Sequence, residues 1–369
     1  MIPTAVISYT INAYYPKPLT GLYLRGSACG LNWESGIKMT AAGENMWTTT
    51  VNCDTSVKAV EVKVLVSDKL WMLGANHHFN SDVGKSTDIY PWFYTTKGAL
   101  TIIDKVYSEE LDNHRDVIIY TPPSFYENTL KVHKNILIMH DGQNLFNPST
   151  SAFGTAWMCQ DALDQTIIAT GTTEEVMIVG AYNTVDRNSE YTYIYDPSEG
   201  FGGKGDLYLD WIQSTLIPTV ASKYEGRVSI ERDTLGILGS SLGGLISCYA
   251  GWTRSDVYGK VGCMSSSFWW DDQDYQNNVV PQGCPTKAGS MPQIYMDSGN
   301  GSRGERDCTQ YTSEIYALEQ SQCGYTAGAN TWTYVQDGGV HNEASWAARF
   351  HIPMEKLYPA GNFSAAPYI

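Results

Sequence analysis

The sequence has few charged residues and no long apolar run. Charged side chains make up 17% of its 369 residues, and 24 Lys and Arg are outnumbered by 39 Asp and Glu, which gives a formal charge of −15. So acidic a surface repels phosphate backbones and strongly anionic small molecules, which argues against nucleic-acid binding. Because no run of about 18 apolar residues exists, we expect no membrane span. The length suits two domains.

The eight cysteines include no CxxC pair, so the spacing typical of metal sites is missing and we expect neither a metal nor another cofactor. Their even number and the low charge favour an oxidising, extracytoplasmic location. The first ten residues lack the pattern of a signal peptide. If the protein is secreted, we expect that Met1 stands in place of a signal peptide. Among the pairings we favour Cys29–Cys53 and Cys308–Cys323. Cys248 and Cys263 lie in predicted buried segments and are candidates for free core thiols.

Residues 1–97 contain short β-branched and aromatic segments separated by Gly, Asn and Asp, which predicts a small all-β sandwich. The segments that resemble a starch-binding-type or early-set sandwich are GLYLRG (21–26), Asn32-Trp33, Met46-Trp47 and KVLVSDKLWMLGAN (63–76). That resemblance implies that Trp33 and Trp71 stack on the sugar rings of a glucan. The alternative, which we favour, is that both indoles pack inside the sandwich.

Residues 98–369 change to apolar, β-rich runs that alternate with helix-like stretches. This alternation predicts an α/β domain with a mostly parallel sheet covered on both faces. Predicted strands fall at 116–120, 136–140, 176–180, 234–239, 260–264, 293–297 and 331–336, and predicted helices at 207–224, 241–252 and 312–320.

Gly239-Ser240-Ser241-Leu242-Gly243 fits the GxSxG pattern, with an apolar strand before it and a helix after it. In that context the serine lies on a sharp strand-to-helix turn with a strained backbone. We expect side chains at the two flanking glycine positions to collide with the neighbouring strand and helix. The turn would expose the Ser241 hydroxyl at the helix N-terminus, where developing negative charge is favoured.

A serine hydroxyl needs a base, and His341 is the best candidate because it follows the last predicted strand. The third member of a triad is an acid between the two in sequence. The loop 297–307 offers Asp297, Glu305 and Asp307. We favour Asp307, which lies just before a predicted helix, and keep the other two open.

An oxyanion needs two backbone amides. The first is expected at Leu242, directly after the nucleophile. The second is expected at Gln143, in the His140–Asn144 loop that follows an early strand, where Gly142 lets the chain turn inward. Trp269 and Trp270 follow a core strand near the expected acyl pocket, and they either line it or pack beneath it. Arg187 and Glu190 are candidates for anchoring a loop over the site.

Five motifs together resemble the esterase D family of α/β-hydrolases. They are Tyr120-Thr-Pro-Pro123, His140-Asp-Gly-Gln-Asn144, Gly239-Ser-Ser-Leu-Gly243, Ser265-Ser-Ser-Phe-Trp-Trp270 and Gly339-Val-His-Asn-Glu343, followed by Trp346. The family includes feruloyl esterases, enterochelin esterases, S-formylglutathione hydrolases and mycolyltransferases. The resemblance implies the nucleophile at Ser241, the base at His341 and the oxyanion amides at Gln143 and Leu242, and it supports Asp307. A sandwich before such a domain is most similar to the enterochelin-esterase branch.

The expected function is therefore a serine carboxylic-ester hydrolase that acts through an acyl-enzyme, on carbohydrate-linked or aromatic (feruloyl-type) esters. One alternative is an acyltransferase that uses the same triad. A second is a siderophore esterase, which the charge of −15 disfavours unless a local basic patch exists. A third is a glucan-binding protein whose esterase domain is vestigial.

Overall fold

The computed structural model describes residues 6–17, 19–54, 56–57, 59–79, 86–301 and 307–361. The first part of the chain is built from nine strands. They are β1 (Val6–Tyr14), β2 (Leu22–Gly26), β3 (Ile37–Lys38), β4 (Thr40–Gly43), β5 (Met46–Asp54), β6 (Val60–Val66), β7 (Leu70–Trp71), β8 (His77–Phe79) and β9 (Ser86–Ile89).

These strands form two sheets, ordered β4-β5-β1-β9 and β3-β2-β6-β7, and β8 also pairs with β6. In β2 and β6 buried and half-buried residues alternate, as expected where one face of a sheet meets a core. Ile11 and Val51 of the first sheet share one buried cluster with Leu24 and Val62 of the second. The two sheets therefore pack face to face, and a small, mainly antiparallel unit precedes the large sheet. The boundary at 97/98 stays a prediction.

The large sheet contains eight strands. They are β10 (Ala99–Ser108), β11 (Asn113–Thr121), β12 (Ile136–Met139), β13 (Met177–Ala181), β16 (Leu235–Ser240), β17 (Lys260–Met264), β18 (Gln293–Gly299) and β19 (Thr331–Gln336). Between them in sequence, β14 (Tyr195–Asp196) and β15 (Phe201–Gly202) form a separate ribbon.

The spatial order of the large sheet is β10-β11-β13-β12-β16-β17-β18-β19. Strand β11 runs antiparallel to its neighbours β10 and β13, whereas the other neighbouring pairs in the described residues are parallel. The mostly parallel α/β fold predicted from the apolar runs is confirmed. Each predicted core strand starts within three residues of an observed one, because near-continuous apolar runs mark strands buried on both faces.

Helices cover both faces of this sheet. They are α1 (Ser124–Glu127), α2 (Cys159–Asp164), α3 (Arg187–Glu190), α4 (Gly205–Trp211), α5 (Ile217–Lys223), α6 (Leu242–Thr253), α7 (Trp270–Asp274), α8 (Thr309–Cys323), α9 (Glu343–Arg349) and α10 (His351–Leu357). Within the described part of the chain, no helix combines the length and apolar character needed to cross a bilayer.

The strand β12 shows how the two faces are separated. Ile136 and Ile138 belong to the buried cluster that includes α4 to α6 and α8, whereas Leu137 and Met139 belong to the cluster that includes α2, α9 and α10. Successive side chains of a strand point to opposite faces, so one apolar run supplies both cores. The loops at the carboxyl ends of the parallel strands remain free to carry polar groups.

The disulfides confirm one prediction and correct two. Cys29 and Cys53 are bonded. Cys248 and Cys263 are bonded as well, rather than free, because α6 packs directly on β17 and brings the two buried residues face to face.

The predicted bond from Cys308 to Cys323 is wrong. Cys323 is bonded to Cys284, and Cys308 is a free, buried thiol. Cys308 precedes α8 and Cys323 ends it, so the helix separates them by about 22 Å, far beyond the roughly 7 Å that a disulfide spans.

Candidate active site

Ser241 lies at the turn between β16 and α6 with φ 58° and ψ −126°. A non-glycine residue at positive φ is sterically costly and persists only where the surroundings hold it. Here the backbone N–H of Ser241 donates to the carbonyl of Met264, 3.1 Å away on the neighbouring strand. The strained serine turn predicted from GxSxG is thus present in the backbone.

The glycines around this turn differ in how much they are needed. A Cβ at Gly239 would lie 2.7 Å from the backbone of Gly243 and from Cδ2 of His140, so no side chain fits there. A Cβ at Gly243 would make an ordinary contact at 3.4 Å, so the expected collision at this position is wrong. The second close approach belongs to Gly244, whose Cβ would lie 2.4 Å from Oγ of Ser266.

His341 lies between β19 and α9, in a loop that Asn342 fixes by capping α9. Its Nε2 is 2.9 Å from Oγ of Ser241, and its Nδ1 is 2.8 Å from Oδ1 of Asp307. The ring also packs edge-on against Trp346. An ionised carboxylate only accepts hydrogen bonds, so Nδ1 donates to Asp307 and the lone pair of Nε2 faces the serine hydroxyl.

Asp307 is almost completely buried at 2% exposure. Its second oxygen accepts a hydrogen bond from Oγ of Ser265 at 2.7 Å and another from the backbone N–H of Gly299. Burial opposes ionisation, but the hydrogen bonds from His341, Ser265 and Gly299 hold the pKa of Asp307 below its usual value. The carboxylate behind the imidazole is therefore charged at neutral pH.

Asp297, the other candidate acid in the described residues, has different partners. Asp297 ends up beneath Asp307, where it contacts Nε of Arg349 at 2.9 Å and the hydroxyl of Tyr295 at 3.1 Å. Burial raises the pKa of Asp297 to about 6 despite the neighbouring guanidinium. Glu305 lies outside the described residues.

Arg349 is a site residue that the sequence reasoning missed. Its side chain is 1% exposed and lies between two carboxylates, with Nη2 3.5 Å from Asp307 in addition to the contact with Asp297. Trp346, one turn earlier on α9, donates from Nε1 to Oγ of Ser265 at 3.0 Å. The available signal was an arginine in an otherwise apolar helical stretch, since a buried charge is retained only where it is paired.

The two expected oxyanion amides lie in loops at the same edge of the sheet. Leu242 is the first residue of α6, where backbone N–H groups have no partner within the helix. Gln143 lies in a 3₁₀ turn, Gly142–Asn144, directly after β12. Because β12 and β16 are parallel neighbours, both loops leave at their carboxyl ends. The Gln143 carbonyl accepts from Oγ1 of Thr150 at 2.7 Å, which helps to hold the turn.

Asp141 anchors this turn through an ion pair. It adopts a left-handed conformation at φ 55°, and its carboxylate receives Nε and Nη2 of Arg187, each at 2.7 Å. Asn183 donates to the same carboxylate at 2.6 Å. Burial disfavours the charge, but Arg187 and Asn183 keep the pKa of Asp141 below its usual value. The loop-anchoring role suggested for Arg187 thus applies to the turn that carries Gln143.

We expect Arg187→Ala to lower kcat by about a hundredfold, because an unpaired Asp141 would let the turn that carries Gln143, the expected oxyanion residue, shift, and small misplacements are costly. Arg187→Lys keeps the positive charge but cannot make the bidentate contact with Asp141, so we expect its loss of kcat to be intermediate. Kinetics on a nitrophenyl ester and thermal unfolding would be measured for both. Arg254→Ala, which breaks ion pairs with the exposed Asp206 and Asp210, is the matched control. A rate for Arg187→Ala within twofold of the parent would contradict the expectation.

A cavity of about 310 Å³ borders Asp307, the favoured acid of the expected triad. Its walls are formed by Trp269, Asn300, Gly301, Asp307, Cys308, Thr309, Gln310 and Tyr311. The indole of Trp269 is 39% exposed there, whereas Trp270 is buried, contacts Phe201 and donates to the carbonyl of Ile194. Of the two predicted pocket residues, only Trp269 lines this cavity, and Trp270 packs beneath it.

Trp33 and Trp71 lie side by side on the sandwich, with ring centroids 6.1 Å apart and planes tilted by 40°. Trp71 is 37% exposed, Trp33 is half-buried, and neither belongs to the sandwich core. The favoured prediction that both indoles pack inside is therefore wrong. The guanidinium of Arg25 stacks over Trp71 and donates to the carbonyl of Trp33, which holds the pair together.

The strand order, the serine on a strained turn after the fifth strand of the large sheet and the histidine after its last strand define an α/β-hydrolase. A family model described as "Putative esterase" matches residues 108–355, and the chain belongs to this family. The protein is accordingly an esterase, as the sequence predicts.

Several known proteins are similar to this chain. An uncharacterized protein, YbbA of Bacillus subtilis, is 24% identical over 68% of this chain and 95% of its own length. A ferulic acid esterase structure superposes with a TM-score of 0.54 at 19% identity, over 71% of this chain and 98% of that one. The enterobactin esterase FES of Shigella flexneri has a TM-score of 0.50 at 14% identity, over 97% of this chain and 94% of that one. Both structures show a shared fold.

Proposed function

We propose that Ser241, His341 and Asp307 form the catalytic triad of a carboxylic-ester hydrolase. The observation that carries this proposal is the unbroken chain of contacts from serine to imidazole to buried carboxylate, at 2.9 and 2.8 Å. Oγ of Ser241 attacks the ester carbonyl while Nε2 of His341 takes its proton. The charge of Asp307 stabilises the imidazolium that forms, and its hydrogen bond keeps the ring in the required orientation.

The backbone amides of Leu242 and Gln143 stabilise the negative oxygen of the tetrahedral intermediate. His341 then returns its proton to the departing alcohol, and an acyl-enzyme remains on Ser241. A water molecule, deprotonated by the same imidazole, releases the acid and restores the serine. Every proton passes through Nε2, so the mechanism itself needs no cofactor. Three disulfides support an extracytoplasmic location for this enzyme.

The substrate we propose is a neutral ester with an aromatic, feruloyl-type acyl group. The exposed face of Trp269 offers a flat stacking surface next to the triad. Among the described residues that line this cavity there is no Lys or Arg, and Asp307 adds negative charge. The negative charge of Asp307 favours a neutral ester over a polyanionic siderophore ester, although the structural relatives include the enterobactin esterase.

An ester panel tests this choice. We expect kcat/KM to be highest for methyl ferulate and methyl cinnamate, lower for short aliphatic esters, and lowest for a catecholate siderophore ester. Trp269→Ala should reduce the aromatic preference by about tenfold, the scale of one aromatic contact, while Trp332→Ala, a half-buried indole on the edge strand β19, should not. Faster cleavage of the siderophore ester would refute the substrate class. Product analysis with a sugar acceptor would reveal acyl transfer.

A second activity, sugar binding by the sandwich, is proposed from the exposed Trp33–Trp71 pair. Two adjacent indoles on a surface provide stacking area for the apolar faces of a glucan. We expect starch to retard the protein in affinity electrophoresis and Trp71→Ala to abolish the retardation. Tyr94→Ala, which removes another exposed aromatic ring, should leave it unchanged. Equal mobility of the parent with and without starch would leave the pair a purely structural feature.

A further inference from the structure

Cys308 brings a third metal-binding group to the triad. It directly follows Asp307 at the start of α8, is not part of a disulfide and lines the cavity beside the triad. Its Sγ, a carboxylate oxygen of Asp307 and a ring nitrogen of His341 all lie within 4.8 Å of one another. Neither the hydrolytic mechanism nor the binding of an acyl group in that cavity needs a thiol at this position.

We infer that Asp307, Cys308 and His341 bind a soft divalent cation such as Zn²⁺ or Cd²⁺, and that the bound cation switches the esterase off. The inhibitory part of this inference rests on the proposed function, because two of the three ligands are members of the proposed triad. The binding part rests on the geometry of the three side chains alone.

The three donors match what such cations prefer. Thiolate, imidazole and carboxylate are the protein ligands of Zn²⁺, at about 2.0–2.3 Å from the ion, and open zinc sites use three of them. When three donor atoms lie no more than 4.8 Å from one another, an ion can be placed no farther than about 2.8 Å (4.8/√3) from each of them. Side-chain shifts of about 0.5–0.8 Å would therefore complete the coordination, and water from the adjoining cavity can take the fourth position.

Binding removes the general base whichever ring nitrogen is used. The Cys308 S–H bond breaks and its proton leaves to solvent, so that the thiolate can coordinate. If the ion binds Nδ1 of His341, the ring proton moves to Nε2, which then cannot accept the proton of Ser241. If the ion binds Nε2, it occupies that lone pair directly. In both cases the ester is not attacked, and a chelator that removes the ion restores the base.

The binding test uses the full chain carrying Ser241→Ala, titrated with Cd²⁺ and read by the ultraviolet thiolate-to-Cd²⁺ charge-transfer absorption. We expect one equivalent of Cd²⁺ to bind. Adding Cys308→Ser should abolish the band and weaken binding by at least about a hundredfold, beyond the loss that an outer partner causes. Cys159→Ser is the matched control, because Cys159 is the other free, buried thiol and lies outside this group. His341→Ala, which changes no cysteine, should also weaken binding.

The inhibition test follows hydrolysis of a nitrophenyl ester in the presence of Zn²⁺, with EDTA added afterwards. We expect reversible loss of the parent's rate, and for Cys308→Ser at least about a hundredfold more Zn²⁺ for the same fractional loss of its own rate. A thiolate band that persists in Cys308→Ser, or its absence from the parent, would overturn the inference. If the parent with Ser241 intact hydrolysed no ester while the band was still observed, the proposed function would be refuted and the cation site would stand.

Discussion

Ser241→Ala is expected to lower kcat for a small nitrophenyl ester by about a millionfold, the scale of losing the nucleophile of a serine triad. The substitution removes only the oxygen that attacks the ester carbonyl, and the methyl group of alanine fits where the serine Cβ lies. Circular dichroism and thermal unfolding should therefore match those of the parent. Stopped assays with long incubation would measure the residual rate, which the oxyanion amides alone can still support.

Ser267→Ala is the matched control, because its hydroxyl lies in the same site, 3.3 Å from Oγ of Ser241. We expect its kcat to stay within about tenfold of the parent, since a neighbouring hydroxyl contributes at most a modest hydrogen bond. If Ser241→Ala retained one per cent or more of the parent's activity, another nucleophile would have to carry the reaction.

Asp307→Asn is expected to lower kcat by about 10⁴-fold, the effect of removing the charge of a triad aspartate in serine hydrolases. An amide in place of the carboxylate can present its NH₂ group to Nδ1 of His341. That contact favours the tautomer with the proton on Nε2, which cannot take the proton from Ser241. The loss should appear in kcat, which would be measured across pH. We expect the loss to persist at pH 8, because raising the pH does not convert the imidazole to the tautomer that can accept a proton at Nε2.

Asp297→Asn separates the two buried acids. Asp297 contacts Arg349 and Tyr295, and its substitution leaves the hydrogen bond between Asp307 and His341 in place. We expect kcat to fall by less than about tenfold, with any larger effect confined to thermal stability because a buried ion pair is broken. The opposite ranking, with Asp297→Asn the more damaging change in kcat, would move the catalytic acid to Asp297.

Local pattern was sufficient for much of the fold. The run 234–239 predicts a strand and the structure has Leu235–Ser240, because a strand buried on both faces must be apolar at every position. The helix predicted at 241–252 is observed as Leu242–Thr253 for a similar reason. Chain order also singled out Ser241 and His341, since loops at the carboxyl ends of parallel strands meet at one edge of the sheet.

Pairing between distant residues was decided by the tertiary structure. The even number of cysteines made a bond between Cys308 and Cys323 a reasonable prediction. However, α8 holds these two residues apart, and Cys323 is bonded to Cys284 instead. Trp269 and Trp270 are neighbours in sequence, and only the local turn exposes one and buries the other. The same holds for Trp33 and Trp71, which the sandwich places next to each other on its surface.

The amino-acid pattern by itself determined the α/β class, the position of the serine turn and the histidine that follows the last strand. It favoured Asp307 without excluding Asp297 or Glu305, and it found neither Arg349 nor the Arg187–Asp141 ion pair. Periodicity reports whether a side chain is buried, because burial depends on the neighbours along one strand or helix. Which buried groups meet depends on how separate loops and helices pack, and that arrangement exists only in the folded chain.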